Sequence, residues 1–152
     1  MIDRFDKNIL AELQLDGRLT VTELAERVGL SLSPCHRRLK SLEQSGAIRS
    51  YKAQLDPSVV GLGFSALVFV TMKYGNHESV TQFEAAVVNI PQVIEANRLF
   101  GDPDYILNIV VKDLEAFQEL YDNKISTLPG VQRLTSTLVM KNILHNRELP
   151  IL

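Results

Sequence analysis

The chain has 152 residues, enough for one ordinary domain or two small ones, with 45% hydrophobic and 22% charged residues and a net charge of −2. That balance belongs to a folded globular protein and excludes a disordered tail, and the longest apolar run, around Phe64 to Met72, is too short to cross a bilayer. A lone cysteine excludes an internal disulfide, no Cys/His cluster has metal-ligand spacing, and the start MIDRFDKN has no apolar signal region, so a cytoplasmic protein without a metal is expected.

Three helices are predicted in the first fifty residues. In DRFDKNILAELQLDGR, Phe5, Ile9, Leu10 and Leu13 recur at helical spacing, and Asp16-Gly17 stops the run. Thr20 to Glu23 has the form of a capping box: the hydroxyl caps the first turn, the carboxylate reaches back, and Leu24, Ala25 and Val28 follow before Gly29. After the turn Gly29-Leu30-Ser31-Leu32, a third helix is predicted to begin at Ser33 as its cap, with Pro34 where a missing N–H costs nothing and Gly46 as its end. Cys35, Leu39 and Leu42 fall on one stripe of this helix. Arg37, Lys40, Ser41 and Gln44 point the opposite way, with His36 and Arg38 on the flanks. Helix, Gly-containing turn and polar-faced helix together form a helix-turn-helix, which lays its second helix in the DNA major groove.

Charge supports the same reading. Residues 35–52 hold Arg37, Arg38, Lys40, Arg49 and Lys52 against Glu43 alone, a local +4 in a chain that otherwise leans acidic. By itself such a face reads as solvated surface; as the second helix of a helix-turn-helix it reads as DNA-binding, through Ser31, Ser33, His36, Arg37, Arg38, Lys40, Ser41 and Gln44. Ala47 to Leu55 alternates polar residues with Ile48 and Tyr51, which suits a short strand or wing from which Arg49 and Lys52 could reach phosphate. Asp56-Pro57 and Gly61-Leu62-Gly63 then form a joint.

Residues 64–152 contain a repeat with an offset of 38 residues. HESVTQFEAAVVNI ends in Ile90-Pro91-Gln92-Val93 and DLEAFQELYDNKISTL ends in Leu128-Pro129-Gly130-Val131, so that Phe83 aligns with Tyr121 and Val68–Met72 with Ile106–Val110. Each copy reads strand, helix, Pro turn, strand: SALVFVTMK and IEANRLF, then YILNIVV and LTSTLVM. Two such units give a ferredoxin-like βαββαβ sheet with both helices on one face. The other face is left uncovered, and a second copy of the chain is expected to cover it, giving a homodimer with two recognition helices for a near-palindromic site. The expected class is therefore α+β: a winged helix-turn-helix domain over residues 1–52, a linker over 53–63 and a ferredoxin-like sensing and oligomerisation domain over 64–152.

In order along the chain stand Asp3-x-x-Asp6 with ILAELQLDGR, ELAERVGLS, Pro34-Cys35 with Arg38 and Leu42-Glu43, Asp56-Pro57, Gly101-Asp102-Pro103-Asp104-Tyr105, Leu128-Pro129-Gly130-Val131 and Thr135-Ser136-Thr137. This ordered set resembles the Lrp/AsnC (feast/famine) transcription regulators over essentially the full length. The resemblance implies a regulator of transcription that binds double-stranded DNA, senses an amino acid and assembles from dimers into higher oligomers, commonly octamers, with the effector between dimers. It implies an effector pocket from the loop matching Gly101, Asp102, Asp104 and Tyr105 and the strand matching Thr135, Ser136 and Thr137, with Leu99 beside it. Chemically, Gly101 would let backbone N–H groups approach a carboxylate, the two aspartates would attract an ammonium, and Thr135 and Thr137 share one strand face. Without the resemblance, GDPDY is simply a good turn. Pro103 removes one backbone N–H from this loop, and Ser50 stands where relatives often carry glycine. Leu99, Phe100, Ile106 and Leu138 nearby favour an apolar effector such as leucine or methionine.

An enzyme is not expected, because His36, His77 and His145 belong to no nucleophile–base set and there is no phosphate-binding glycine loop. The remaining alternative is a metabolite-binding protein whose N-terminal helices dock a protein rather than DNA.

Overall fold

The structure is a computed structural model that describes residues 1–151. The chain forms two compact units, residues 1–54 together with the tail from Ile143, and Leu55–Asn142.

The N-terminal unit is built on α1 (Arg4–Leu15), α2 (Val21–Val28) and α3 (Leu32–Gln44). Two reciprocal capping boxes start the first two helices. Asp3 and Asp6 exchange side-chain–backbone bonds on α1, and Thr20 and Glu23 do so on α2, each satisfying N–H groups that a first turn leaves unpaired. Gly29, at φ +71°, closes α2 in the left-handed conformation and allows the tight turn into α3. Ile9, Leu24, Ala25, Val28, Cys35 and Leu42 form the core, so the predicted inner stripe of the third helix does face inward, with Leu39 partly buried beside it.

Two local expectations differ. The third helix begins at Leu32 with Ser31 as its cap, not at Ser33, and Ser31 makes no side-chain capping bond. Pro34 therefore occupies the third helical position, where its missing N–H still has no intrahelical acceptor to lose. No strand forms over residues 47–55. A strand needs a neighbour for its ladder, and none is supplied here. Ile48 instead packs on the three-helix core, and the Tyr51 hydroxyl donates to Glu43 at 2.9 Å.

In the second unit β1 (Phe64–Met72), α4 (His77–Val88), β2 (Val93–Arg98), β3 (Tyr105–Val111), α5 (Leu114–Leu120) and β4 (Val131–Leu138) follow the predicted order. The sheet runs β2-β3-β1-β4, antiparallel between neighbours, which is the expected ferredoxin-like arrangement. Alternation along β1 buries Ala66, Val68, Val70 and Met72 beneath Phe83 and Val87 of α4 and Phe117 and Leu120 of α5. Ser65, Leu67, Phe69 and Thr71 form the opposite, half-buried set, on the helix-free face. The second predicted helix is interrupted: α5 runs into a π turn at Tyr121–Ile125, with the Ser126 N–H bonding the Tyr121 carbonyl at 2.9 Å. The wider turn keeps Leu120 and Ile125, five residues apart, on the buried side, whereas an ordinary helix would turn the second of them away. Within the repeat, Phe83 is buried against Tyr105 while Tyr121 is only partly buried; Phe117 supplies the second copy's core ring.

Candidate functional site

α3 presents two kinds of cation. Arg38 lies partly buried and bonds both Asp3 at 2.7 Å and Asp6 at 2.9 Å, with its guanidinium 5.5 Å from the Phe5 ring centre. It is held to the start of α1, and these carboxylates together keep its guanidinium firmly protonated. The sequence expectation that Arg38 faces DNA is corrected on this point: the 100° step from Arg37 turns it towards α1. Arg37, Lys40, Arg49 and Lys52 are exposed and, among the described residues, take part in no ion pair. Ser31, Ser33, His36, Ser41 and Gln44 are exposed as well. Glu43, the one acid of the segment, accepts the Tyr51 hydroxyl, whose pKa is pushed up to about 12 by burial first and by that carboxylate second. Ser31 makes no side-chain capping bond, so its hydroxyl leaves the first-turn N–H groups of α3 unsatisfied, and N–H groups at a helix start suit a phosphate oxygen.

The predicted effector residues divide between the two faces of the sheet. Thr135 pairs with Phe69 and Thr137 with Leu67, which puts both threonines on the helix-free face; Ser136 pairs with Val68 and points to the helix side. Thr71 lies on the same open face and contacts Asp102 at 3.4 Å, with Arg133 directly opposite Thr71 in the register. Arg133 and Thr71 were missed by sequence reasoning, although the alternation 133, 135, 137 along one strand would have flagged the arginine. Asp104 is otherwise engaged: its carboxylate accepts the Met72 N–H at 2.6 Å and its own N–H bonds the Val70 carbonyl, tying the loop to the end of β1. Asp102, by contrast, is exposed. Gly101 adopts φ +148°, and a Cβ there would meet nothing within 4 Å, so the glycine is required by its backbone angle and not by crowding. Leu99 is half-buried, its N–H on the Asp104 carbonyl at 2.7 Å, and the Asp102-Pro103 peptide is cis.

Tyr105 is a core residue of the helix side. Its ring lies 4.5 Å from that of Phe83, and its hydroxyl donates to Glu84 at 2.9 Å. Burial, then the Glu84 carboxylate, pushes its pKa up to about 12. Beside it opens a cavity of about 340 Å³ between α4 and β2, walled by Phe83, Val87, Val88 and Ala96, with Glu84 and Arg98 paired at 3.4 Å at its edge. No group of His, Cys, Asp or Glu side chains suited to a metal occurs among the described residues, and no helix there is long and apolar enough to cross a membrane.

Comparison with known proteins bears on both units. Residues 65–149 match the family model of the Lrp/AsnC ligand binding domain, and residues 2–49 match that of a winged helix-turn-helix DNA-binding domain. The leucine-responsive regulatory protein of Escherichia coli K12 is 37% identical over 150 residues, covering 99% of this chain and 92% of that one. The DNA-binding transcriptional activator DecR of the same organism is 35% identical over 151 residues, covering 99% of each. A transcriptional regulator of Neisseria meningitidis, solved as a complex with L-Met, superposes with a TM-score of 0.92 at 40% identity, covering 99% of this chain and 97% of that one.

Proposed function

This chain belongs to the Lrp/AsnC family of DNA-binding transcriptional regulators, and from that premise we propose that it reads a specific duplex sequence through the outer face of α3 and alters that reading when an amino acid binds the C-terminal unit. The observation that carries the DNA half is the division of labour on α3: Arg38 is locked to Asp3 and Asp6, while Arg37 and Lys40 stand exposed and unpaired on the face away from Cys35 and Leu42. Cations in excess of structural need, on the second helix of a helix-turn-helix, suit phosphates and base edges. Arg49 and Lys52 add phosphate contacts from an irregular segment rather than a strand.

The effector reading rests on the L-Met bound by the Neisseria relative and on the polar groups of the open sheet face, Asp102, Thr71, Thr135, Thr137 and Arg133. Asp102 suits the ammonium, Arg133 the carboxylate, and the threonine hydroxyls either. Leucine and methionine are the first candidates. The half-buried Leu67, Phe69 and Ile106 of that face are suited to a homodimer, which would also place two α3 helices on one duplex. Further assembly into octamers is the extension proposed for the oligomer.

Selection of bound sequences from random duplex, with and without leucine and methionine, tests the whole. A recovered motif that strengthens or weakens with either amino acid is the expected result; retention of no sequence at low ionic strength would overturn it. In the rival reading the N-terminal helices dock a protein, and then Arg37→Ala with Lys40→Ala would leave duplex retention unchanged.

A further inference from the structure

We propose that Gln14 and the tail residues 149–151 form a strap that holds residues 46–51 in place, and that this strap positions Arg49 for the phosphates of a bound duplex. This rests on the reading of the N-terminal unit as a DNA-binding domain, and adds to it two positioning elements that touch no DNA themselves.

Three features converge on Leu149. Its N–H donates to the Gln14 side-chain carbonyl at 2.6 Å and its carbonyl accepts the Gln14 amide N–H at 3.1 Å, so one glutamine serves both backbone groups as a neighbouring strand would. The same carbonyl accepts the Ile151 N–H at 2.8 Å, closing a three-residue turn about Pro150, whose fixed φ suits the centre of such a turn. Both lone pairs of that carbonyl are then in use. The Leu149 side chain is 71% exposed, so it is the backbone that is held, and Ile151 beyond the turn is half-buried. This anchor lines a groove of about 790 Å³ within the N-terminal unit, whose other walls include Leu10 and Leu13 of α1 and residues 46–51. That last wall has no ladder to stiffen it. It is tied to α3 through the Ile48 N–H on the Leu42 carbonyl at 3.3 Å and the Tyr51 hydroxyl on Glu43. Arg49, exposed and in no ion pair among the described residues, lines the same groove. Irregular backbone that must be ordered on binding weakens affinity, and backbone already held does so less. Bordered by α1 and the strap, the segment has fewer conformations to lose when Arg49 meets a phosphate.

Titration of a fluorescent mixed-sequence duplex at low ionic strength, where phosphate contacts dominate, tests the strap on the full chain. Gln14→Ala and Ile151→Ser change no charge, so neither alters the Coulombic attraction directly. Each is expected to bind the duplex about threefold or more weakly than wild type with little change in melting temperature, while Ile151→Val binds as wild type does. In an Arg49→Ala background the Gln14→Ala loss should vanish, a coupling that a merely stabilising bond would not produce. Wild-type affinity in both strap variants overturns the proposal and leaves the DNA reading standing, and so does a Gln14→Ala loss that persists undiminished in the Arg49→Ala background. A wild-type chain that retains no duplex overturns both.

Discussion

Arg37 and Arg38 are adjacent and identical, and they do different work. One step along α3 swings Arg38 over Phe5 and onto Asp3 and Asp6, so its charge is spent inside the N-terminal unit, whereas Arg37 is exposed and takes part in no ion pair among the described residues. Arg38→Ala should therefore lower the melting temperature, while Arg37→Ala leaves it within experimental scatter and lowers DNA affinity; thermal melts beside duplex titrations check both. The capping carboxylates make a related prediction. Asp3 is held below the usual carboxylate range first by the Asp6 N–H and then by Arg38, and Glu23 by the Thr20 N–H and hydroxyl. A folded value below the unfolded one means that the unfolded chain binds more protons in acid. The stabilisation is complete above the ordinary range, about pH 4, and is lost as pH falls through the depressed folded values. The melting temperature should thus fall steeply below about pH 4, and less steeply in Asp3→Asn with Glu23→Gln. Tyr105→Phe leaves Glu84 without its hydroxyl donor and should cost about 1 kcal/mol by denaturant titration.

α3 owes its use to how it begins and what precedes it. Gly29 reverses the chain at φ +71°, with nothing within 4 Å of a built Cβ, so substitution there is penalised by the backbone alone. Gly29→Ala should cost about 1–2 kcal/mol, and Gly29→Asn less, since asparagine tolerates the left-handed region. On the outward side of the helix, each phosphate contact removed should flatten the log–log salt dependence of DNA binding by about 0.9. Arg37→Ala with Lys40→Ala is expected to lower that slope by up to about twice this amount, read from titrations at several salt concentrations. In the other unit the repeat predicted two equal helices, and the second is broken by a π turn, because Leu120 and Ile125 must both reach the sheet. Periodicity measured over a short window does not register one inserted residue.

Across the molecule the chain passes between its two units twice, after Gln54 and again before Ile143. The returning tail is clamped: the Gln14 side-chain amide donates to the Leu149 carbonyl at 3.1 Å and accepts the Leu149 N–H at 2.6 Å. Nothing in the local sequence at either end announces a bond spanning 135 positions. Gln14→Ala should speed amide exchange at Leu149 with little change in overall melting temperature. The open face of the sheet is expected to bury itself against a second copy, so Phe69→Glu should shift the chain towards monomer in sedimentation at micromolar concentration.

The sequence alone determined the three-helix unit with its second capping box, the order of strands and helices, and the face of α3 that carries free cations. Each depends on spacing between near neighbours, which the 3.6-residue and two-residue periods make readable. Tertiary structure decided the rest: that Arg38 is an internal clamp, that residues 47–55 find no partner strand, that Asp104 serves the end of β1, and that Ser136 and Tyr105 lie on the opposite face of the sheet from Thr135 and Thr137. In each case the side chain answers to a group far away in the chain, and strand register, not local pattern, sets which groups meet.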